Sequence, residues 1–365
     1  MKSELVGFLD EKMEYCRDLV NGHITGGVMD QELIDAIGCL DYRAAAGHRF
    51  NYSDELVDAV YFLKYGYAYA YEYHVMYDVL LRDYRATQGN IFGVTCLGCG
   101  SLIDAWSLAY SKARLAEDEG RNDVNDLELR YIGNDMEEWA VRFVSAAGNV
   151  MEQAYQACDN PRYPGGAKNL SRDILSFLDQ ESWYASYDTI VFSKILNEID
   201  DPTDPTDPEL NRLVDLIRDK ASMGLFKRDE YYICISHSYT SYRTNPRMKT
   251  IAGEIADAIN ANGEFDVKDD LLDTVPFLID ISAPADLNCY SSGDEDYLDG
   301  DFAPIRGLDD LRSQIRRELT GTHRFASYNT QSPVSGFRYV LKRSQICLQV
   351  LKLTRRGIGN GGTDQ

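Results

Sequence analysis

The sequence predicts an α/β fold with a mostly parallel sheet, preceded by a helical N-terminal segment. Three observations support this prediction. Apolar, strand-like runs alternate with helix-like segments from residue 91 onward. A long segment before them, 57–84, carries tyrosines at every fourth position. Between the first predicted strand and the helix after it stands the turn Gly98-Cys99-Gly100.

Residues 1–88 are predicted to form a helical extension. In the segment 57–84, tyrosines at alternate positions first suggest a strand, but the segment is too long for one strand and Gly66 is its only breaker. A second set of tyrosines has helical spacing, namely Tyr61, Tyr65, Tyr69, Tyr73 and Tyr77. We favour an aromatic packing face over a base-stacking platform, because aromatic stripes at helical spacing usually belong to a core.

Residues 89–356 are predicted to form the α/β domain, and 357–365 a flexible tail. Strands are predicted at 91–97, 128–134, 187–193 and 231–236, with a weaker strand before Asp173. Helices are predicted at 102–118, 136–157, 209–222 and 247–262. The segments 336–341 and 344–353 are predicted to close the sheet as an antiparallel pair.

The charge of the chain is strongly acidic and uneven. Its formal net charge is −22, from 37 basic and 59 acidic residues, which repels a polyanion at long range. The region 306–355 is locally basic. It could face RNA or an acidic protein, or it could neutralise acidic neighbours within the fold, and we favour the second interpretation.

Composition also bears on the compartment and on metal binding. No apolar run approaches the roughly 18 residues that a membrane span needs, and the start MKSELVGFLDEK carries acids where a signal peptide would be basic and then apolar. We therefore expect a cytoplasmic protein without a membrane partner. Cys96-x-x-Cys99 has metal-like spacing, but no second pair stands nearby, so no metal site is predicted.

The glycine turn has the pattern of a cofactor loop. A strand that ends in Gly-x-Gly and leads into a helix directs backbone N–H groups and the positive end of the helix dipole toward one point. Asp135 ends the second strand, where it can accept hydrogen bonds from ribose hydroxyls or cap the next helix. Asp173 follows the third strand, where a carboxylate can accept a bond from an adenine amino group.

Four segments, GVTCLGCGSLIDA, YIGNDMEEW, RDILSF and YDTIVFSKIL, resemble the successive motifs of the class I (Rossmann-like) S-adenosylmethionine-dependent methyltransferases. The resemblance covers residues 91–240. It implies a Rossmann-like, doubly wound sheet and S-adenosylmethionine as cofactor. It also implies that Gly98, Cys99 and Gly100 lie against the methionine part of the cofactor, that Asp135 holds the ribose and Asp173 the adenine, and that Ser193 and Lys194 lie near the transferred methyl.

The chain departs from the family pattern in the loop and after it. Cys96 stands where the family often has an acid, and Asp104 downstream either partly substitutes for that acid or caps the helix. Leu102 occupies the position of the third glycine. Asp135 follows Gly98 by 37 residues (135 − 98), against roughly 20 in the related dinucleotide fingerprint, so an insertion is predicted at 117–128.

The leading hypothesis is a methyltransferase whose acceptor the sequence does not identify. Asn197 and Glu198 are candidates for polar contacts at the acceptor pocket, and a position on the helix surface is equally open for both. His237 and Tyr239 follow a strand near the predicted crevice, but neither is predicted to act as a base. Two alternatives remain: a catalytically degenerate module that binds RNA or protein, and an NAD-dependent oxidoreductase. The second is disfavoured because Ile103 interrupts Gly-x-Gly-x-x-Gly.

Overall fold

The computed structural model describes the following residues: 1–25, 28–39, 52–84, 90–135, 150–155, 167–171, 173–179, 187–199, 209–238, 242, 244–272, 276–280, 289–291, 303–304 and 343–357. The N-terminal part is helical with one small hairpin. Its elements are α1 (Lys2–Gly22), β1 (Ile24–Thr25), β2 (Val28–Met29), α2 (Gln31–Cys39) and α3 (Glu55–Asp83). The helix α3 begins after Asp54, whose carboxylate accepts hydrogen bonds from the backbone N–H groups of Leu56 and Val57.

The rest of the chain alternates strands and helices. Its first elements are β3 (Ile91–Leu97), α4 (Ile103–Glu119), α5 (Asn122–Asn125), β4 (Glu128–Asp135), α6 (Val150–Tyr155), β5 (Ala167–Ser171) and α7 (Ile174–Leu178). The next are β6 (Thr189–Ser193), α8 (Leu196–Ile199), α9 (Glu209–Ser222), β7 (Glu230–Ser238), a 3-10 turn (Pro246–Lys249) and α10 (Ile251–Ile259). The last are β8 (Phe265–Leu272), β9 (Pro276–Asp280), β10 (Cys289–Ser291), β11 (Ala303–Pro304) and β12 (Arg343–Arg355).

One large sheet organises this part. Its strand order is β11-β10-β9-β12-β7-β6-β3-β4-β5, and β8 also pairs with β12. The five strands β5, β4, β3, β6 and β7 are parallel, whereas β12 runs antiparallel to β7 and pairs antiparallel with β8 and β9. In chain order, β4 and β5 follow β3 on one side of it, and β6 and β7 then follow on its other side. The carboxyl ends of β3 and β6 are thus a topological switch point, where open α/β sheets bind ligands.

This architecture confirms the predicted Rossmann-like fold. The strand predicted at 91–97 has those bounds, and the others agree within two residues at each end. The helix predicted at 247–262 is shorter, because a 3-10 turn precedes α10. Of the predicted helix 136–157, α6 is the described part, and the segment 336–341 lies outside the described residues. The strands β8 to β11 were not predicted, since the charges of 266–270 interrupt any apolar alternation.

The two faces of the sheet are covered by different helices. Phe92, Val94 and Cys96 of β3 lie in the core that contains the N-terminal helices and α4. Ile190 and Phe192 of β6 lie in the opposite core, with α9 and α10. This alternation follows from the period of two in a strand, and burial on both faces is typical of a parallel sheet.

The helix α3 carries the tyrosine stripe and packs on α4. The rings of Tyr65 and Tyr69 stack with centroids 4.9 Å apart, and Tyr73 and Tyr77 are buried. The hydroxyl of Ser107 on α4 donates to the carbonyl of Ala70 at 2.8 Å, which shows how closely the two helices approach. The predicted aromatic packing face is therefore confirmed.

A buried ion-pair cluster also joins α3 to α4. Arg114 donates to Asp78 at 2.7 Å and to Glu119 at 2.8 Å, and Arg82 pairs with the same two acids. Asp78 is fully buried, and Arg114 is nearly so. Within the described ranges, no helix combines the length and the apolar character that crossing a membrane requires.

Candidate functional site

The glycine turn begins directly after β3, and its shape requires glycine at position 98. Gly98 has φ +73°, in the left-handed region that side chains disfavour. A Cβ at Gly98 would also lie 2.9 Å from the Cβ of Ile195 and 3.0 Å from the carbonyl oxygen of Ser193. The glycine is thus needed because the turn after β6 packs directly against the loop.

The amides of the loop are engaged by the end of β4. The N–H groups of Gly98 and Cys99 both donate to the carbonyl oxygen of Asn134, at 2.8 Å and 3.1 Å. The N–H of Gly100 donates to a carboxylate oxygen of Asp135, at 2.8 Å. All three donors are therefore used within the protein. The third joins the loop to the carboxylate predicted from the sequence, so Gly100 and Asp135 do lie together at the switch point.

Leu102, at the position of the third glycine of the family pattern, has a left-handed backbone. Its φ is +66°, and it immediately precedes α4 without a side-chain cap on that helix. Left-handed backbone costs an ordinary residue about 1–2 kcal/mol. The Leu102 side chain is buried in the core, and this burial offsets the cost. The loop thus holds Leu102 in a conformation that glycine adopts more readily.

The two cysteines of the loop region point into the protein. Cys99 packs on Gly133 of β4, where an added Cβ would lie 2.6 Å from the Cys99 sulfur. Cys96 is buried within β3. Among the described residues, the group of side chains with metal-ligand spacing lies elsewhere and consists of His23, Asp30 and Glu32.

Asp104 does not cap α4, because the helix begins after Leu102, and its substitution for the family acid stays a prediction. It lies in the first turn of α4 but is buried below the loop, where it accepts hydrogen bonds from the hydroxyls of Tyr131 (2.7 Å) and Tyr77 (3.3 Å). Burial raises the pKa of the Asp104 carboxyl to about 6, although the bonds from Tyr131 and Cys96 act in the opposite direction. Its position is that of a core carboxyl joined to α3 and β4 through the two tyrosines.

The carboxyl end of β6 meets the side chains of α3. The Ser193 hydroxyl is hydrogen-bonded to that of Tyr73. Lys194 has φ +59°, and its ammonium lies 2.7 Å from a carboxylate oxygen of Glu72. The same ammonium is 3.4 Å from the centroid of the Tyr69 ring. Burial lowers the pKa of Lys194, while Glu72 acts to raise it.

Glu72 was missed by the sequence analysis. It is fully buried, although it belongs to the segment read only as an aromatic packing face. The available signal was a single acid between Tyr71 and Tyr73 in a run of tyrosines, because a carboxylate in such surroundings needs a partner.

The other predicted site residues are more dispersed. Asp173 caps α7 by accepting a hydrogen bond from the Ser176 N–H at 3.0 Å, and its side chain is exposed. Asn197 and Glu198 belong to α8, but their side chains, like Tyr239, lie outside the described residues. His237 is buried beside Gln349 at 3.2 Å, and burial lowers its pKa to about 4. His237 therefore occupies a core position.

Part of the basic region 306–355 is described, and its charges are used within the fold. Lys352 lies 2.6 Å from Asp83 and 3.0 Å from Glu230. Arg355 pairs with Glu264 and donates to the carbonyl of Phe226 at 2.7 Å. For these two residues, neutralisation of acidic neighbours is the observed role. Contact between the rest of the region and a polyanion remains a prediction.

Comparisons with known proteins give similarity in structure and none in sequence. No protein-family model and no curated sequence matches the chain. A solved structure of the plantazolicin methyltransferase BpumL, in complex with a monoazolic desmethylPZN analog and SAH, is 11% identical, covers 89% of this chain and 98% of its own, and has a TM-score of 0.36. A SAM-dependent methyltransferase from Archaeoglobus fulgidus is 15% identical, covers 77% and 94%, and has a TM-score of 0.27.

The YcgJ protein from Bacillus subtilis is 9% identical, covers 78% of this chain and 99% of its own, and has a TM-score of 0.31. Likeness at these values does not establish a shared activity. The functional conclusion therefore rests on the geometry of the switch point.

Proposed function

We propose that this protein is an S-adenosylmethionine-dependent methyltransferase. The observation that carries the proposal is the 2.8 Å hydrogen bond from the Gly100 N–H to the Asp135 carboxylate. It joins a glycine turn at the start of a helix to an acid at the end of the neighbouring strand, at the switch point of a doubly wound sheet. A nucleoside cofactor needs this combination, because its sugar hydroxyls are donors and its other end must approach the backbone closely.

The proposal assigns a contact to each residue that the resemblance implies for the cofactor. Asp135 would accept hydrogen bonds from the ribose hydroxyls, and the turn 98–100 would lie against the methionine part of the cofactor. Asp173, exposed at the start of α7, would accept a bond from the adenine amino group. Ser193 and Lys194, at the end of β6, would lie near the transferred methyl.

The cofactor supplies an electrophilic methyl group on a sulfonium. The protein's contribution is then to hold the acceptor in line with that methyl and to exclude water. Two features of the chain fit such positioning. The turn after β6 packs tightly against Gly98. On α3, Tyr73 and Glu72 contact Ser193 and Lys194 of the same turn.

Calorimetry with S-adenosylmethionine, S-adenosylhomocysteine and NAD tests the proposal. We expect the two adenosyl compounds to bind, and Asp135→Ala to weaken binding by about 10- to 100-fold, because a hydrogen bond to a charged group contributes about 1.5–3 kcal/mol. Asp126→Ala, two residues before the start of the same strand, is the control and should bind like the wild type.

Three results would contradict the proposal or its parts. Binding of NAD alone would favour the oxidoreductase. Binding of none of the three compounds would favour the non-catalytic module. Unchanged affinity in Asp135→Ala would remove the ribose role from that residue while leaving the cofactor class standing.

A further inference from the structure

The N-terminal helix α3 places a buried carboxylate against the turn that follows β6. Glu72 has no solvent exposure, and its carboxylate oxygen lies 2.7 Å from the ammonium of Lys194. That ammonium also lies over the ring of Tyr69, one turn earlier on α3, at 3.4 Å from the centroid. A buried carboxylate and an aromatic face both favour a cation, so together they fix where the Lys194 side chain can lie.

The turn held in this way is the one that packs on the glycine loop. Lys194 stands between Ser193 and Ile195, the two residues that a Cβ at Gly98 would strike. The backbone of Lys194 is left-handed, with φ +59°, a conformation that persists only where its surroundings enforce it. One enforcing contact is the hydrogen bond from the Lys194 N–H to the carbonyl of Ser236, at 2.9 Å. The others are the contacts with α3.

We propose that Glu72 and Lys194 form a positioning pair that holds the 193–195 turn against Gly98. The pair thereby keeps the cofactor loop, 98–100, in the conformation that binds the cofactor. This inference rests on the proposed function. It makes α3, which lies outside the α/β sheet, part of the cofactor site. The pair acts through the turn, and neither residue needs to touch the cofactor.

The test compares binding of S-adenosylhomocysteine with thermal stability in five variants of the full chain. Glu72→Gln and Lys194→Met each remove one charge, and the double variant removes both. Lys194→Arg keeps a cation that can pair with Glu72 and lie on Tyr69. The control is Asp78→Asn, which breaks a different buried ion pair of the same helix, outside the site.

We expect Glu72→Gln and Lys194→Met to bind S-adenosylhomocysteine about tenfold more weakly, which corresponds to about 1.4 kcal/mol. Lys194→Arg should recover most of the affinity that Lys194→Met loses. Asp78→Asn should lower the thermal midpoint but keep its affinity within about twofold. The double variant is decisive, because it leaves no unpaired buried charge: its thermal midpoint should recover, whereas its affinity should not.

If the double variant regains both stability and affinity, the pair only stabilises the fold and the inference is wrong. Single variants that bind within twofold of the wild type would also overturn it, while the proposed function would stand. If the wild type itself does not bind S-adenosylhomocysteine, the proposed function and this inference are both wrong.

Discussion

Replacing Gly98 with alanine tests the central packing of the site, and its cost can be worked out from the structure. A residue with a side chain at φ +73° costs about 1–2 kcal/mol. The new Cβ would lie 2.9 Å from the Ile195 Cβ and 3.0 Å from the Ser193 carbonyl oxygen. Overpacking of this kind costs about 1–3 kcal/mol. The sum predicts that Gly98→Ala lowers the free energy of unfolding by about 2–5 kcal/mol.

Gly120 offers a matched control within the same chain. It ends α4 at φ +65°, and nothing lies within 4 Å of an added Cβ. Gly120→Ala should therefore cost only the backbone part, about 1–2 kcal/mol. The loss of unfolded-state freedom that accompanies any Gly→Ala change is common to both variants and cancels. The difference between them, about 1–3 kcal/mol, measures the contact of the loop with the 193–195 turn.

Urea unfolding followed by far-UV circular dichroism provides the measurement, with equal m-values required before the free energies are compared. The two variants should also differ in function, since only Gly98→Ala alters the loop, and it should weaken binding of S-adenosylhomocysteine. Equal destabilisation by the two alanines would show that the 193–195 turn does not press on Gly98, and the reasoning about the loop would be refuted.

Three further predictions concern buried titratable side chains. Asp104 has a pKa of about 6 in the folded protein, whereas an unfolded aspartate titrates near 4. As the pH rises from about 4 to 6, the free energy of unfolding of the wild type should therefore fall by about 2 kcal/mol relative to that of Asp104→Asn in urea unfolding. Parallel profiles of unfolding free energy against pH for the two proteins would contradict this expectation. His237 has a pKa of about 4 in the folded protein, below that of an unfolded histidine, so its contribution to stability is lost as the pH falls. Between about pH 6.5 and 4, the free energy of unfolding of the wild type should fall by about 3 kcal/mol relative to that of His237→Gln in urea unfolding. Asp188 accepts hydrogen bonds from the buried Arg228 and from the Gly93 N–H at 3.0 Å. Asp188→Asn should therefore lower the free energy of unfolding by about 3–5 kcal/mol in urea unfolding at neutral pH. A decrease of less than about 1 kcal/mol would show that the pair contributes little.

The positions of the parallel strands and of the glycine turn could be predicted because both are local properties of the chain. The apolar run 91–97 is long enough for a buried strand and ends in a glycine turn, and its bounds in the structure are those predicted. Asp135 was found by the same reasoning, since the end of one parallel strand lies beside the end of the next. Helical spacing of tyrosines likewise predicted α3, because side-chain period depends only on local backbone geometry.

The partners of polar side chains were decided by tertiary structure alone. The sequence left Asp104 as a substitute for the family acid or a cap of α4, and only the structure shows that Tyr77 and Tyr131 bind its carboxylate in the core. Glu72 was not singled out in the sequence, because its partner Lys194 is distant along the chain. The physical reason is that the role of a charge depends on which groups neutralise it once water is excluded. Those groups become neighbours only when the helix has packed against the sheet.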